Sequence, residues 1–423
     1  MTEETGATPS FLKRHSAPLM TVGILSIGGI AASGGFHIVT GRGLGPGAFG
    51  LLAAFLAIVN IAAIGASALQ NSVAVVTARN LHLPPNENPR RRFGLDSSTF
   101  EALVLGLTGT IVVAVAAPTL ADVLGTSTTA LYLASLTIIP GFLFSRAQGI
   151  LQGVGDARSV AAWSTVSQIL RLAFAAVAIA TGLGAVTVLV AVLVSICAVT
   201  VGAMWQASRL SVHSAEIPFN TNSVVLLLLT ISFAWITNID VILVRGSTTE
   251  LVSGFFAAAA VLTKMTLLIP TTLSLYLLPR FVARQGDHKT VRFGINVVLL
   301  TVLGGGLAML VGVTVLGGLI VSILFGAGYS MAVGFLPWLT LAYLPWAMAQ
   351  GLLIRLTATG SKSALIVLLL AAGAQWIAAS ILLPNVEAMI VAIGIIGALT
   401  LALFYLRHLF TSKNVIEGSD APA

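Results

Sequence analysis

Apolar runs of about 20 residues alternate with short polar breaks along almost the whole chain. An α-helix needs about 20 apolar residues to cross the roughly 30 Å hydrocarbon core of a bilayer. The pattern therefore predicts an all-α polytopic membrane protein with about twelve transmembrane helices. Their approximate limits are 18–40, 47–78, 99–118, 129–150, 160–181, 185–206, 222–245, 251–278, 292–318, 332–354, 364–383 and 386–406.

Composition supports the same class of protein. Of the 423 residues, 57% are hydrophobic and only 8% are charged, whereas a soluble domain is about 25% charged. The single cysteine, Cys197, excludes an intramolecular disulfide. The sequence contains no phosphate-binding loop, metal-ligand cluster or nucleophile–base motif, and no loop is long enough for a catalytic domain. We therefore expect neither an enzyme nor a cofactor or metal site.

The basic residues predict the orientation of the helices. The formal charge is +7, and most Lys and Arg residues fall on the cytoplasmic side if the N-terminus is cytoplasmic. This distribution does not indicate nucleic acid as a partner, and it places both termini in the cytoplasm. The predicted segments are an N-terminal tail (1–17), a six-helix lobe (18–206), a linker (207–221), a second six-helix lobe (222–410) and a C-terminal tail (411–423).

The two halves of the chain repeat at an offset of about 202 to 205 residues. FGLLAA at 49–54 matches GFFAAA at 254–259, and AQGIL at 147–151 matches AQGLL at 349–353. An offset of six spans preserves the direction of each helix, so the repeat predicts parallel halves related by an axis along the membrane normal.

Polar side chains inside the apolar runs occupy matching positions in this repeat. Arg171 and Lys264 are predicted near the bilayer midplane, where a charge costs about 2.5–3.5 kcal/mol or more, so we expect them to face a cavity. Asp240 is predicted nearer the outer surface; a pairing with Lys264 and a purely structural ion pair both remain open. The register pairs Asp240 with His37, Lys264 with Asn60, and Arg171 with Gln375.

Four segments carry a resemblance to a known family: GRGLGPGAFG (41–50), ALQNSVAVVTAR (68–79), NIDVILVR (238–245) and GFFAAAAVLTKM (254–265), the last followed by LLPRFVAR (277–284). They resemble the polysaccharide-flippase branch of the multidrug/oligosaccharidyl-lipid/polysaccharide exporter superfamily. The resemblance implies two six-helix bundles around a central cavity in a bacterial cytoplasmic membrane. It also implies alternating-access flipping of a polyprenyl-pyrophosphate-linked oligosaccharide for cell-surface polysaccharide synthesis.

The implied substrate suggests roles for the buried polar residues. Arg171 and Lys264 would bind the pyrophosphate, while Asn60, Gln168 and Gln375 would hydrogen-bond sugar hydroxyls; Asp240 and His37 would serve coupling or gating. The expected partners are the lipid-linked glycan and the bilayer, with a polysaccharide polymerase and glycosyltransferases as candidates.

Two other functions remain open at this point. One is a cation-coupled multidrug exporter of the same superfamily, although the first six predicted spans contain no mid-membrane Asp or Glu. The other is a non-transporting scaffold within a cell-wall synthesis complex.

Overall fold

The computed structural model describes residues 9–81, 97–210, 221–267, 270, 288–358 and 361–419. Within these ranges the regular elements are all helical, which confirms the predicted class. The helices are α1 (Pro9–Leu81), α2 (Ser97–Leu124), α3 (Thr128–Leu136), α4 (Ile138–Gly153), α5 (Ala157–Ala180), α6 (Ala185–Ser208), α7 (Thr221–Ser247), α8 (Glu250–Thr263), α9 (His288–Leu324), α10 (Ala332–Ala358), α11 (Lys362–Leu382) and α12 (Val386–Ser419). Two 3₁₀ turns follow α8 and α9, at Lys264–Leu267 and Ala327–Tyr329.

The first helix contains two of the predicted spans. Its apolar part, Met20–Arg79, has 60 residues, which at 1.5 Å per residue would be about 90 Å long. Gly45 interrupts it with non-helical angles (φ 72°, ψ 172°), and Pro46 then opens the second half, where a helix needs no N–H donor. The described residues contain eleven helices apolar and long enough to span a bilayer. Counting α1 as two crossings gives the predicted twelve.

The fourth predicted span is broken near its start. Thr137 separates α3 from α4, and Pro140 lies in the first turn of α4. Hydroxyl groups from neighbouring helices donate to carbonyls at this break: Thr200 to Pro140 at 3.0 Å and Thr110 to Ser135 at 3.1 Å. Backbone groups inside a bilayer need such partners, because no water is available to replace them.

The chain folds into two compact units. The first unit comprises 1–43, 66–118 and 128–220, and the second comprises 44–65, 119–127 and 221–423. The connectors at 82–96 and 211–220, together with 268–269, 271–287 and 359–360, lie outside the described residues.

Each unit pairs its helices in the same way. In the first unit, α6 packs against α4 and α5; in the second unit, α12 packs against α10 and α11. The early part of α1 packs on α5, where Gly35 lies against Leu172, and α7 packs on α11 at the matching place. This shared pairing supports the internal repeat inferred from the sequence.

Candidate functional site

Lys264 lies where α8 ceases to be α-helical. The α-helix ends at Thr263, and the 3₁₀ turn begins at Lys264. The predicted span 251–278 is therefore not one uninterrupted α-helix, and most of it beyond Leu267 lies outside the described residues. Pro270 supplies a reason, because its ring would clash with the carbonyl of Thr266 four residues earlier in a continuous α-helix.

Lys264 and Asp240 form a buried ion pair. The Lys264 Nζ lies 2.9 Å from Asp240 Oδ1, with Asp240 fully buried and the Lys264 side chain 18% exposed. The Tyr343 hydroxyl on α10 donates to the other carboxylate oxygen, Oδ2, at 2.5 Å. The same ammonium group lies 5.3 Å from the centroid of the Tyr343 ring. Both carboxylate oxygens of Asp240 thus have a donor, and the pairing that the sequence left open is present.

The direction of helical side chains explains how this pair closes. Counted from the turn between α7 and α8, Lys264 is about seven residues further along its helix than Asp240, a difference of about 10 Å. Side chains on a helix lean toward its N-terminus. Asp240 therefore leans away from the turn and Lys264 leans toward it, so the long lysine stem bridges the remaining distance.

The other two candidate residues of the second unit have different environments. Gln375 is 1% exposed on α11, and its Oε1 has no hydrogen-bond partner in the part of the chain that the structure describes. Asn60 on α1 is exposed. No described hydrogen bond joins either residue to Asp240 or Lys264.

A second polar group lies in the first unit, where α1 meets α5. The Arg171 guanidinium carbon lies 4.0 Å above the Phe36 ring, and the His37 ring contacts Phe36 edge-on at 5.4 Å between centroids. Gln168 precedes Arg171 by three residues and so shares its helix face. Arg171 Nε, His37 Nδ1 and Gln168 Oε1 are all buried, and none of them has a hydrogen-bond partner among the described residues.

Arg171 differs from Lys264 in its counter-charge. Lys264 pairs with Asp240, whereas no ion pair joins Arg171 to another residue in the described part of the chain. The guanidinium of Arg171 rests instead on an aromatic face, an attraction of about 0.5–2 kcal/mol. It is thus a buried cation with a spare donor, which is a suitable environment for an anionic ligand.

Sequence reasoning missed Phe36 and Tyr343. Both are aromatic residues in apolar runs, where they do not stand out from core residues. Only the hydroxyl of Tyr343 gave a signal, because a buried tyrosine usually finds a hydrogen-bond partner.

No protein-family model matches the chain, and no curated protein matches it. Several solved structures do match the chain. A multidrug resistance MATE family transporter of the MOP superfamily, in an inward-facing conformation, matches with TM-score 0.72 and 14% identity over 94% of this chain and 100% of that one. The chain has the fold of this transporter. The lipid II flippase MurJ, in an inward closed conformation, matches with TM-score 0.67 and 16% identity over 95% of this chain and 93% of that one.

A third structure is a MOP superfamily transporter from Pyrococcus furiosus, described by the reverse polarity of its binding pocket. It matches with TM-score 0.65 and 14% identity over 93% of this chain and 95% of that one. Identities this low establish the fold alone. Together with the apolar helices, that fold makes the chain a multi-pass membrane protein; the polysaccharide-flippase branch and the orientation of the termini stay predictions.

Proposed function

We propose that the protein is an alternating-access transporter that flips a polyprenyl-pyrophosphate-linked oligosaccharide across a bacterial cytoplasmic membrane. Both termini face the cytoplasm in this proposal. Its main support is Arg171, a buried cation with an unpaired Nε–H and no acid among its described ion-pair partners. A pyrophosphate oxygen would satisfy that donor through a charge-assisted hydrogen bond. One of the similar structures is described as a lipid II flippase, which is consistent with such a substrate.

The Asp240–Lys264 pair would connect binding to conformational change. A pyrophosphate that reached Lys264 would compete with Asp240 for its ammonium group. Release of Asp240, followed by its protonation, would then help to reset the empty carrier. His37, beside Phe36 and Arg171, would be the corresponding coupling group of the first unit.

The uncharged candidates would recognise the saccharide. Gln168 and Gln375 each have a buried side-chain oxygen that no described residue hydrogen-bonds, and such an oxygen can accept from a sugar hydroxyl. Asn60 is exposed and would contribute at the edge of the site. Glycosyltransferases would act before the flipping step, and a polysaccharide polymerase would act after it.

Multidrug export is the second candidate function. The buried carboxylate of Asp240 favours it, as does the similarity to a multidrug resistance transporter. The carboxylate is already neutralised by Lys264 and hydrogen-bonded by Tyr343. A cationic drug would have to displace an ammonium group from it, so we favour the anionic substrate.

A non-transporting scaffold is the remaining alternative. It would bind partner enzymes without flipping any lipid.

Purified protein in liposomes can test this proposal. The probe is a fluorescent polyprenyl-pyrophosphate saccharide, and its arrival in the outer leaflet is measured by quenching with membrane-impermeant dithionite. We expect Arg171→Met to slow flipping by about tenfold or more, the effect of losing about 1.4 kcal/mol of binding. The matched control is Arg209→Ala, because Arg209 stacks on Trp205 at 3.6 Å outside both polar groups.

The same liposomes distinguish the alternatives. Flipping by Arg171→Met at the wild-type rate would remove Arg171 from the binding site. Wild-type protein that accumulates a cationic dye but flips no lipid would favour multidrug export. Wild-type protein that moves neither substrate would favour the scaffold.

A further inference from the structure

Arg245 is buried at the end of α7 and joins several segments of the second unit. It is 6% exposed. Its Nη2 lies 3.0 Å from Glu250 Oε1, and its Nη1 donates to the Gly47 carbonyl at 3.2 Å and to Ser253 Oγ at 3.3 Å. Its Nε donates to the Leu124 carbonyl at 3.4 Å. Two of these acceptors lie on the α7–α8 hairpin, and the two carbonyls belong to segments from the first half of the sequence.

Glycines bring the same segments into backbone contact. A Cβ at Gly50 would lie 2.8 Å from the Gly254 nitrogen, and a Cβ at Gly254 would overlap the carbonyl of Pro46. A Cβ at Gly246 would overlap Val123. The two copies of the repeated sequence, FGLLAA and GFFAAA, thus cross at their glycines. No larger residue fits there without separating the segments.

Aromatic rings that are mostly buried pack beside this crossing. Phe49 lies 5.5 Å from Phe325 between ring centroids, Phe325 lies 5.3 Å from Tyr329, and Phe255 lies 6.3 Å from Tyr329. Burial raises the pKa of the Tyr329 phenol. Arg245 is itself buried, and burial strengthens its hydrogen bonds to buried acceptors relative to the same bonds in water.

The bonds of Arg245 are nevertheless of a kind that can break. Of its four acceptors among the described residues, three are uncharged, at 3.2 to 3.4 Å. The charged one, Glu250, has a side chain that is 73% exposed, and solvent weakens such a pair. Arg42, which matches Arg245 in the repeat, is exposed, so the two matching arginines differ in burial.

We propose that Arg245 is the latch of a gate formed by the segments 44–65 and 119–127 and the α7–α8 hairpin, which separate when the transporter changes its open side. In the proposed orientation this gate lies at the outer end of the helices. The inference rests on the proposed alternating-access function, because only such a function requires these segments to part.

Spin labels at Asp122→Cys and Ser247→Cys can report the gate directly. Both positions are exposed and flank the contact of Val123 with Gly246. The native Cys197 is exposed and is first replaced by serine. Pulsed electron paramagnetic resonance then gives the distance distribution between the labels in purified, substrate-free protein.

Removal of the latch should open the gate. We expect a single short distance in the labelled parent and an added longer-distance population in Arg245→Ala. Arg245→Lys should give a smaller population, because one ammonium group cannot replace the planar fork of donors. Ser253→Ala, which removes one acceptor, should give the smallest longer-distance population. The Arg209→Ala control should give the same distance distribution as the parent.

An unchanged distance distribution in folded Arg245→Ala would overturn the latch, even if the melting temperature falls. Should Arg245→Ala fail to fold, Ser253→Ala decides: a longer-distance population supports the latch and an unchanged distribution contradicts it. The measurement needs no substrate. A shift in distance without lipid flipping would therefore keep the latch and reject the proposed substrate.

Discussion

The two units place buried cations in opposite electrostatic situations. Lys264 is held at 2.9 Å by the carboxylate of Asp240, which Tyr343 also hydrogen-bonds. Arg171 lies on the ring of Phe36, and its Nε has no hydrogen-bond partner among the residues that the structure describes. The units pair their helices in the same way, so the difference is not one of fold. It lies in which side chains each copy of the repeat carries at matching positions.

This difference shows how a duplicated fold can separate two tasks. A neutralised pair can exchange one partner for another, which suits a coupling step. A cation without a protein counter-charge is costly until a ligand supplies one, which suits binding. The helix pairing of the repeat is kept in both units, while the chemistry has diverged.

The largest expected loss of stability comes from removing one charge of the Asp240–Lys264 pair. Asp240→Asn leaves Lys264 buried without its counter-charge, and such a change costs about 3–5 kcal/mol. Thermal unfolding in detergent measures it. The matched variant Asp240→Asn with Lys264→Met removes both charges and should regain most of the stability. If the double variant is as unstable as the single one, the pair does not hold α7 and α8 together.

The helices could be predicted because the length of each apolar run reflects the thickness of the bilayer. The repeat could be predicted because a constant sequence offset reflects the duplication. The partners of individual side chains could not be predicted in this way. The pairing of Asp240 with Lys264 depends on how side chains lean across an antiparallel hairpin and on where α8 ends. Phe36 and Tyr343 resemble ordinary core residues in the sequence, and Arg245 is buried by segments about 120 and 200 residues away in the chain.

A smaller effect should follow from removing the hydroxyl that supports the pair. Tyr343→Phe keeps the ring near Lys264 but leaves Asp240 Oδ2 without its donor. Hydrogen bonds to charged groups contribute about 1.5–3 kcal/mol, so the loss should be about half that of Asp240→Asn. Thermal unfolding again measures it, with Tyr132→Phe as the control, because Tyr132 is exposed. A loss equal to that of Asp240→Asn would mean that the hydroxyl, and not the ammonium group, provides most of the stabilisation of Asp240.

The smallest effect separates the two copies of the AQGxL segment. A Cβ at Gly149 would lie 2.6 Å from the Gln70 carbonyl oxygen and 2.8 Å from Val73 Cβ, and neither atom can move without shifting α1. A Cβ at Gly351 would meet one atom, Val298 Cγ1, at 2.9 Å, and a rotation of that valine relieves the contact.

Alanine in a helix interior gains about 1 kcal/mol over glycine, whereas overpacking costs about 1–3 kcal/mol. Gly149→Ala should therefore lower the unfolding temperature modestly, while Gly351→Ala should leave it unchanged or raise it. The two variants are matched controls for each other, because they make the same substitution in the same motif. Equal shifts would show that α4 and α10 pack alike at these glycines, and the divergence between the units would then be confined to their polar groups.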